Sequence, residues 1–527
     1  MNAFRCAQCG SVRATADFST AASPGTRLYQ LLNSNDAPTE IDRVAAKSTI
    51  SALDSRLALL NDEITRLEAL KAERTSLAAL RVQSQAVLSP IRSLPPEILS
   101  EIFFWTIPLA DVLVQHRQLD LASWSVTQIS ARWREIAIST PSLWSQVVLS
   151  YSRGVVWPIE AVETQMRRAR SLRIYFVPSR TVDAAPQLEM FQLLAAQSSR
   201  WEELVLGVTR PLIPAIAAIR DRVPLLSRLW LQWDDDPADI DMDSVSVSCF
   251  SNAPSLRQVC VAEELASPSV SLPVHQLTHY NLTGSIEMHM RILPLATHLV
   301  KAHIICNTAV HDVPRLTLPS LRQAFISPVE FLDYITVPGL EELGVWLPGR
   351  HEVDSPVPPQ DLASRIIPLV ARSSCVLRRL TLEGAPRSAE TTTILQKIPT
   401  INHLVLVCSD PGANEETNQL LSALTAVTDN STTKTVAPHL NAIFFTHARN
   451  EYVSEYADML QSRYTAPECA LQQAALVVQF ESDVLEPLPE ALDKLESLRS
   501  QGLDALVVSG PRAVPMVAEW TGQLPFE

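Results

Sequence analysis

The sequence predicts an α/β protein in three parts: a long N-terminal helix, a module of three helices, and a large irregular array of strand-bearing repeats. Three observations predict it. Apolar residues recur at spacings of three and four from Ile50 to Leu67. Two proline-led turns and a tryptophan-bearing helical stripe crowd into residues 90–150. From Leu172 onward a short motif keeps returning with apolar residues at its first, fourth and sixth places.

The bulk properties set the frame for these elements. A chain of 527 residues is too long for one ordinary core, so two to four structural units are expected. With 46% hydrophobic and 19% charged residues it has the composition of a folded protein. A net charge of −14 argues against broad affinity for nucleic acid or an anionic membrane, which reward clustered Lys and Arg. No window reaches the roughly 18–20 apolar residues of a bilayer crossing, and Met1 to Thr20 is not a secretory signal. The cytosol or nucleus is the expected compartment. Cys249, Cys260, Cys306, Cys375, Cys408 and Cys469 stand singly, as reduced thiols filling core space do.

Residues 1–37 have no sustained apolar period and are expected to form a mobile tail. Residues 38–89 read as the long helix. Thr39 followed by Glu40, Ile41 and Asp42 is an N-cap with an acidic first turn. Ile50, Leu53, Leu57, Leu60, Ile64 and Leu67 then make a 3-4-3-4-3 seam, a short coiled coil. The register slips at Leu70, Leu77 and Leu80, and Pro90 stops the run. A continuous helix from Glu40 to Ser89 would be about 75 Å long. It either lies on its own neighbouring module or meets a partner, a second copy included.

Residues 90–150 carry the helical module. Pro95 and Pro96 sit where a first turn tolerates missing amide donors, and Glu97 suits the positive helix end. Ile98, Leu99, Ile102, Phe103 and Trp105 follow at helical spacing. Val126, Ile129, Trp133 and Ile136 predict a second helix, and Thr140-Pro141 opens a short third turn presenting Leu143 and Trp144. The order Leu-Pro-x-Glu-Ile-Leu, a helix ending in Arg-Trp, and then Leu-Trp resembles the F-box family over roughly residues 26–149. That resemblance implies docking on the Skp-type adaptor of a cullin-RING ubiquitin ligase through Leu94, Pro95, Glu97, Ile98, Leu99, Ile102, Trp133, Leu143 and Trp144. It also implies that the rest of the chain holds a protein substrate. The chain departs from the family at Ile129-Ser130, where many members have Val-Cys, and in a longer stretch from Thr106 to Gln128.

Residues 151–527 hold the repeats. Leu226-x-x-Leu229-x-Leu231, Leu256-x-x-Val259-x-Val261, Leu321-x-x-Ala324-x-Ile326 and Leu340-x-x-Leu343-x-Val345 are followed by copies at Leu377, Ile401 and Leu440, with weaker ones at Leu277 and Leu299. The pattern resembles the strand segment of leucine-rich repeats, which implies a solenoid with one free wall for binding protein. An unrelated α/β domain with apolar strands is the other reading, because Asn after the strand is mostly missing and later spacings are irregular. Ala475 to Phe480 and Leu503 to Val508 read as further strands around a helix from Pro487 to Ser500.

Motifs for chemistry are weak. Cys6-x-x-Cys9 is half a zinc ribbon without its second pair. His275 and His279 fall in strand-like surroundings, and Asp239-x-Asp241-x-Asp243 lacks the Gly and Glu of a calcium loop. No phosphate-binding loop, nucleophile elbow or His-Glu-x-x-His is present. The expectation is a non-enzymatic adaptor without metal or cofactor, or a ligase-independent scaffold built on the same fold.

Overall fold

The computed structural model describes residues 3–5, 12–14, 25–107, 122–233, 246–262, 269–347, 361–384, 386–408, 414–429, 432–447, 452–478, 489–509 and 513–521. It divides into two compact units, Met1–Ile98 and Leu99–Glu527.

The first unit is dominated by helix α1, Glu40–Val87. Thr39 caps it reciprocally: its side chain accepts from the Asp42 amide at 3.3 Å, and Asp42 accepts from the Thr39 amide at 3.0 Å. No residue of α1 is buried. Parts of residues 1–37 take regular structure. Ala3–Arg5 pairs antiparallel with Val12–Ala14, and Arg27–Leu32 is a short helix capped by Thr26. Arg27 reaches Asp42 at 3.7 Å, so the cap of α1 also anchors this segment. Cys6 and Cys9 lie outside the described residues, as do Asp239, Asp241 and Asp243.

Helix α2, Pro96–Trp105, starts on Pro96 with Glu97 in its first turn. The apolar stripe from Val126 to Ile136 forms two helices, not the single one its spacing suggests: α3, Ala122–Ile129, and α4, Ala131–Ser139. Ser130 makes the break. Its backbone is extended and its hydroxyl accepts from the Trp133 amide at 3.2 Å, so the serine caps a new helix instead of continuing the old one. A 3-10 turn, Pro141–Trp144, follows.

Strand β1, Gln146–Ser150, comes next, in the last residues of the span assigned to the helical module. It is the edge of a sheet of 14 strands. The others are β2 (Leu172–Val177), β3 (Trp201–Val208), β4 (Arg228–Trp233), β5 (Gln258–Ala262), β6 (His279–Gly284) and β7 (Lys301–Cys306). They continue as β8 (Gln323–Ser327), β9 (Glu342–Trp346), β10 (Arg379–Glu383), β11 (His403–Cys408), β12 (Ala442–His447), β13 (Gln473–Val478) and β14 (Asp504–Ser509). Every pairing is parallel and spatial order follows chain order, as in a leucine-rich-repeat-like solenoid.

The one-four-six motif has a direct physical meaning. Its first residue lies just before each strand, and the fourth and sixth point into the core. In β10, Leu377, Leu380 and Leu382 are fully buried, and in β4 so are Leu226, Leu229 and Leu231. The weaker copies at Leu277 and Leu299 behave alike, with Tyr280, Leu282, Ala302 and Ile304 also buried. Irregular spacing also has a cause. Between β5 and β9 the chain returns through short segments such as Val274–Gln276 and Leu293–Leu295. After β9 it returns through full helices, Leu362–Ser373, Ser388–Lys397 and Asn414–Leu424, which need more residues.

At the entry to successive strands the main chain bonds from one repeat to the next. The amides of Arg322, Glu341, Arg378, Asn402 and Asn441 donate to the carbonyls of Val300, Arg322, Glu341, Arg378 and Asn402, at 2.7–2.9 Å. This ladder pairs main-chain amides and carbonyls where the chain enters each of these strands. Cys249, Cys260, Cys306, Cys375 and Cys408 are buried and free. Burial pushes the Cys260 and Cys408 thiols up to about 12, which keeps them protonated.

Candidate functional site

Two regions of the second unit bear on function: the helical module and the sheet face turned away from the helices.

The module is held by aromatic packing. Leu99 and Phe103 of α2 are buried, and the Phe103 ring lies 4.7 Å from that of Trp133. Trp144 is fully buried, donates through Nε1 to the Ala137 carbonyl at 2.7 Å, and meets Trp124 edge-on at 5.1 Å. Helix α5, Ile159–Arg168, brings the Arg168 guanidinium over both indoles, 4.9 Å from Trp124 and 4.3 Å from Trp144. The first repeat therefore clamps the module in place.

The residues matched to adaptor docking separate into two kinds. Leu99, Leu143 and Trp144 are buried and hold the module together, while Trp133 is half-buried. Ile102 is 37% exposed, and Trp105 on the same helix is 77% exposed. In the first unit, Leu94 is half-buried, and Pro95, Glu97 and Ile98 are exposed. The stretch after Ile107 and before Ala122 lies outside the described residues.

The sheet's second face was not picked out by the motif, which marks only inward positions. Residues at its fifth place align strand by strand into one row. Val148, Tyr175, Val205 and Trp230 form an apolar end, followed by Cys260, Asn281, His303 and Phe325. Gly344, Thr381, Val405 and Phe444 continue it. A neighbouring row is charged: Glu203 beside Arg228 at 3.7 Å and Glu342 beside Arg379 at 3.5 Å. The part-exposed Glu342–Arg379 pair contributes little stability, whereas Glu203 is buried and also accepts from the Tyr175 hydroxyl.

The C-terminal helix α6, Ala513–Thr521, lies on this face, with Trp520 stacked on Phe444 at 5.1 Å and 24°. It walls a cavity of about 210 Å³ together with Lys301, His303, Phe325, Gly344 and Arg379. His303 is only 5% exposed, sits edge-on to Phe325 at 4.4 Å, and has no hydrogen-bond partner at either ring nitrogen among the described residues. Burial, reinforced by the Lys301 charge, lowers its pKa to about 3. A neutral imidazole offers one donor and one acceptor to a bound polar group.

Neither His275 nor His279 contributes to a ligand cluster; His275 lies in a 3-10 turn and His279 begins β6. Among the described residues no group of three or more His, Cys, Asp or Glu side chains could hold a metal ion, and no helix is long and apolar enough to cross a membrane. No protein-family model and no curated protein matches the chain.

Proposed function

We propose that the chain is a substrate-receptor adaptor of a Skp-cullin-F-box ubiquitin ligase. The motif Leu94-Pro95-x-Glu97-Ile98-Leu99 and the helices after it would dock the Skp-type subunit, and the second sheet face would hold a target protein. The observation carrying this reading is the two-sided character of α2. Leu99 and Phe103 are fully occupied in the module core, yet Ile102 and Trp105 remain as large apolar groups in solvent. A second apolar face on a short helix costs solubility unless something covers it. Such an adaptor makes no bond itself; it raises the effective concentration of target near the ligase.

Co-purification with a Skp-type adaptor tests the reading. Ile102→Asp combined with Trp105→Ser should abolish recovery while leaving the module folded, since both side chains are exposed. Leu94→Ala with Pro95→Ala should weaken it as well. Equal recovery of wild type and both variants would remove the docking assignment. A ligase-independent scaffold is the second reading, favoured by the exposed apolar seam along α1. It predicts no adaptor recovery by the wild type.

A further inference from the structure

The apolar seam of α1 is uncovered: Ile50 and Leu57 are each 56% exposed, Ile64 is 51%, Leu67 is 52%, and Leu53 and Leu60 are each 38%. We propose that it closes against a second copy of this chain running antiparallel, with the two-fold axis between Ala58 and Leu59. The inference is independent of the ligase reading.

The charges flanking the seam choose the orientation. With Ile50, Leu57 and Ile64 at the first core position and Leu53, Leu60 and Leu67 at the second, Lys47, Asp54, Asn61 and Glu68 flank one side. Thr49, Arg56, Glu63 and Leu70 flank the other. In an antiparallel pair each flank meets its own kind, and all six seam residues find a partner only when Ile50 packs on the partner's Leu67 and Leu57 on the partner's Leu60. That register sets Arg56 beside the partner's Glu63 and Lys47 beside the partner's Glu68. Symmetry repeats both contacts, so every fully charged flanking pair within the seam is attractive.

A parallel pair does worse. There each flank meets the opposite one, so Glu63 faces the partner's Glu68 twice and Arg56 faces an uncharged Asn61. Its one attractive contact, Asp42 to the partner's Lys47, also made twice, only offsets the Glu63 repulsions. The next core positions outward, Lys71 and Arg74, would also face their own copies. In the antiparallel form Lys71 meets Ala46, and the seam ends where Arg43 approaches the partner's Arg74. The two C-terminal ends of α1 would then lie about 85 Å apart at ~1.5 Å per residue, so the two chains leave the seam in opposite directions.

Sedimentation equilibrium on the full chain tests this through charge exchange at positions flanking the seam. The wild type should be a dimer at micromolar concentration. Glu63→Arg turns two attractions into repulsions in the antiparallel form and should weaken the dimer by roughly thirtyfold. Adding Arg56→Glu to it should restore most of the affinity. Leu57→Asn with Leu60→Asn should leave monomer of unchanged secondary structure. A monomeric wild type, a dimer tightened by Glu63→Arg as the parallel form requires, or a dimer indifferent to the Leu57 and Leu60 changes would each overturn the proposal.

Discussion

Replacing Trp144 by alanine should unlatch the helical module from the repeat sheet. The indole is fully buried, and three interactions converge on it: the Nε1 bond to Ala137, the edge contact with Trp124, and the Arg168 guanidinium over its face. Losing a buried tryptophan costs about 3–5 kcal/mol through transfer and cavity terms together. Trp144→Phe keeps most of the volume but leaves the Ala137 carbonyl only the Thr140 amide at 3.3 Å, for about 1 kcal/mol. Arg168→Met removes the cation from two rings, for about 1–2 kcal/mol. Hydrogen exchange read by peptide resolves these effects. Each 1.4 kcal/mol is a factor of ten, so Trp144→Ala should speed exchange across residues 131–144 by at least about a hundredfold, with strands β8 to β14 unchanged. Unaltered protection over residues 131–144 would refute the idea that Trp144 is the latch. An equal loss over β8 to β14 would refute the idea that the module opens locally.

Four further outcomes are expected. Arg463, fully buried on the helix Val453–Thr465, donates to the carbonyls of Leu424, Val436 and Ala437 at 2.7, 3.0 and 2.5 Å; Arg463→Leu should cost on the order of 4 kcal/mol in urea unfolding, and a change under 1 kcal/mol would count against it. His289 is fully buried, bonded to the Tyr280 hydroxyl at 2.9 Å, and burial lowers its pKa to about 4. The unfolded imidazole binds protons from about pH 6.5 while the folded one resists, so stability should be full above that pH and fall by on the order of 3 kcal/mol toward pH 4. His289→Gln should remove that share of the slope and leave the share that buried His303 contributes, and an unchanged pH profile would contradict the assignment. Gly344→Ala would drive a Cβ into the Phe325 ring on the cavity floor, so thermal unfolding should fall measurably, whereas the same change at exposed Gly154 meets no atom and should cost only its backbone strain. Trp520→Ala should release α6 from Phe444 and admit a protease between residues 513 and 521; unchanged cleavage would mean the stack does not hold the helix.

Much of the architecture was legible because it repeats. A residue such as Leu380 must be apolar whatever surrounds it, and recurrence at one, four and six betrays a strand that buries alternate side chains. The helix start at Thr39 was equally readable, since capping is settled within four residues. The break at Ser130 was not: serine is compatible with both a helix interior and an N-cap, and packing around Trp133 decides between them. The candidate docking residues divided only in three dimensions. Leu99 and Ile102 look alike in sequence, but α2 turns one inward and leaves the other in solvent. The face bearing His303, Phe325 and Trp520 was hidden for a different reason. Its residues are related by strand register and by the return of the C-terminal helix, neither of which leaves a spacing in the chain.

The sequence by itself thus determined the classes of element and their order: a capped helix with an apolar seam, a proline-started helical module and a train of parallel strands. Those depend on interactions within a few residues, or on a period that every repeat restates. Only the tertiary structure decided which apolar groups are buried in the core and which stay exposed, and that main-chain bonds link one strand entry to the next. It also decided that a buried imidazole lines the cavity walled by α6. Burial is a property of the whole packed chain, so no local pattern can allocate it.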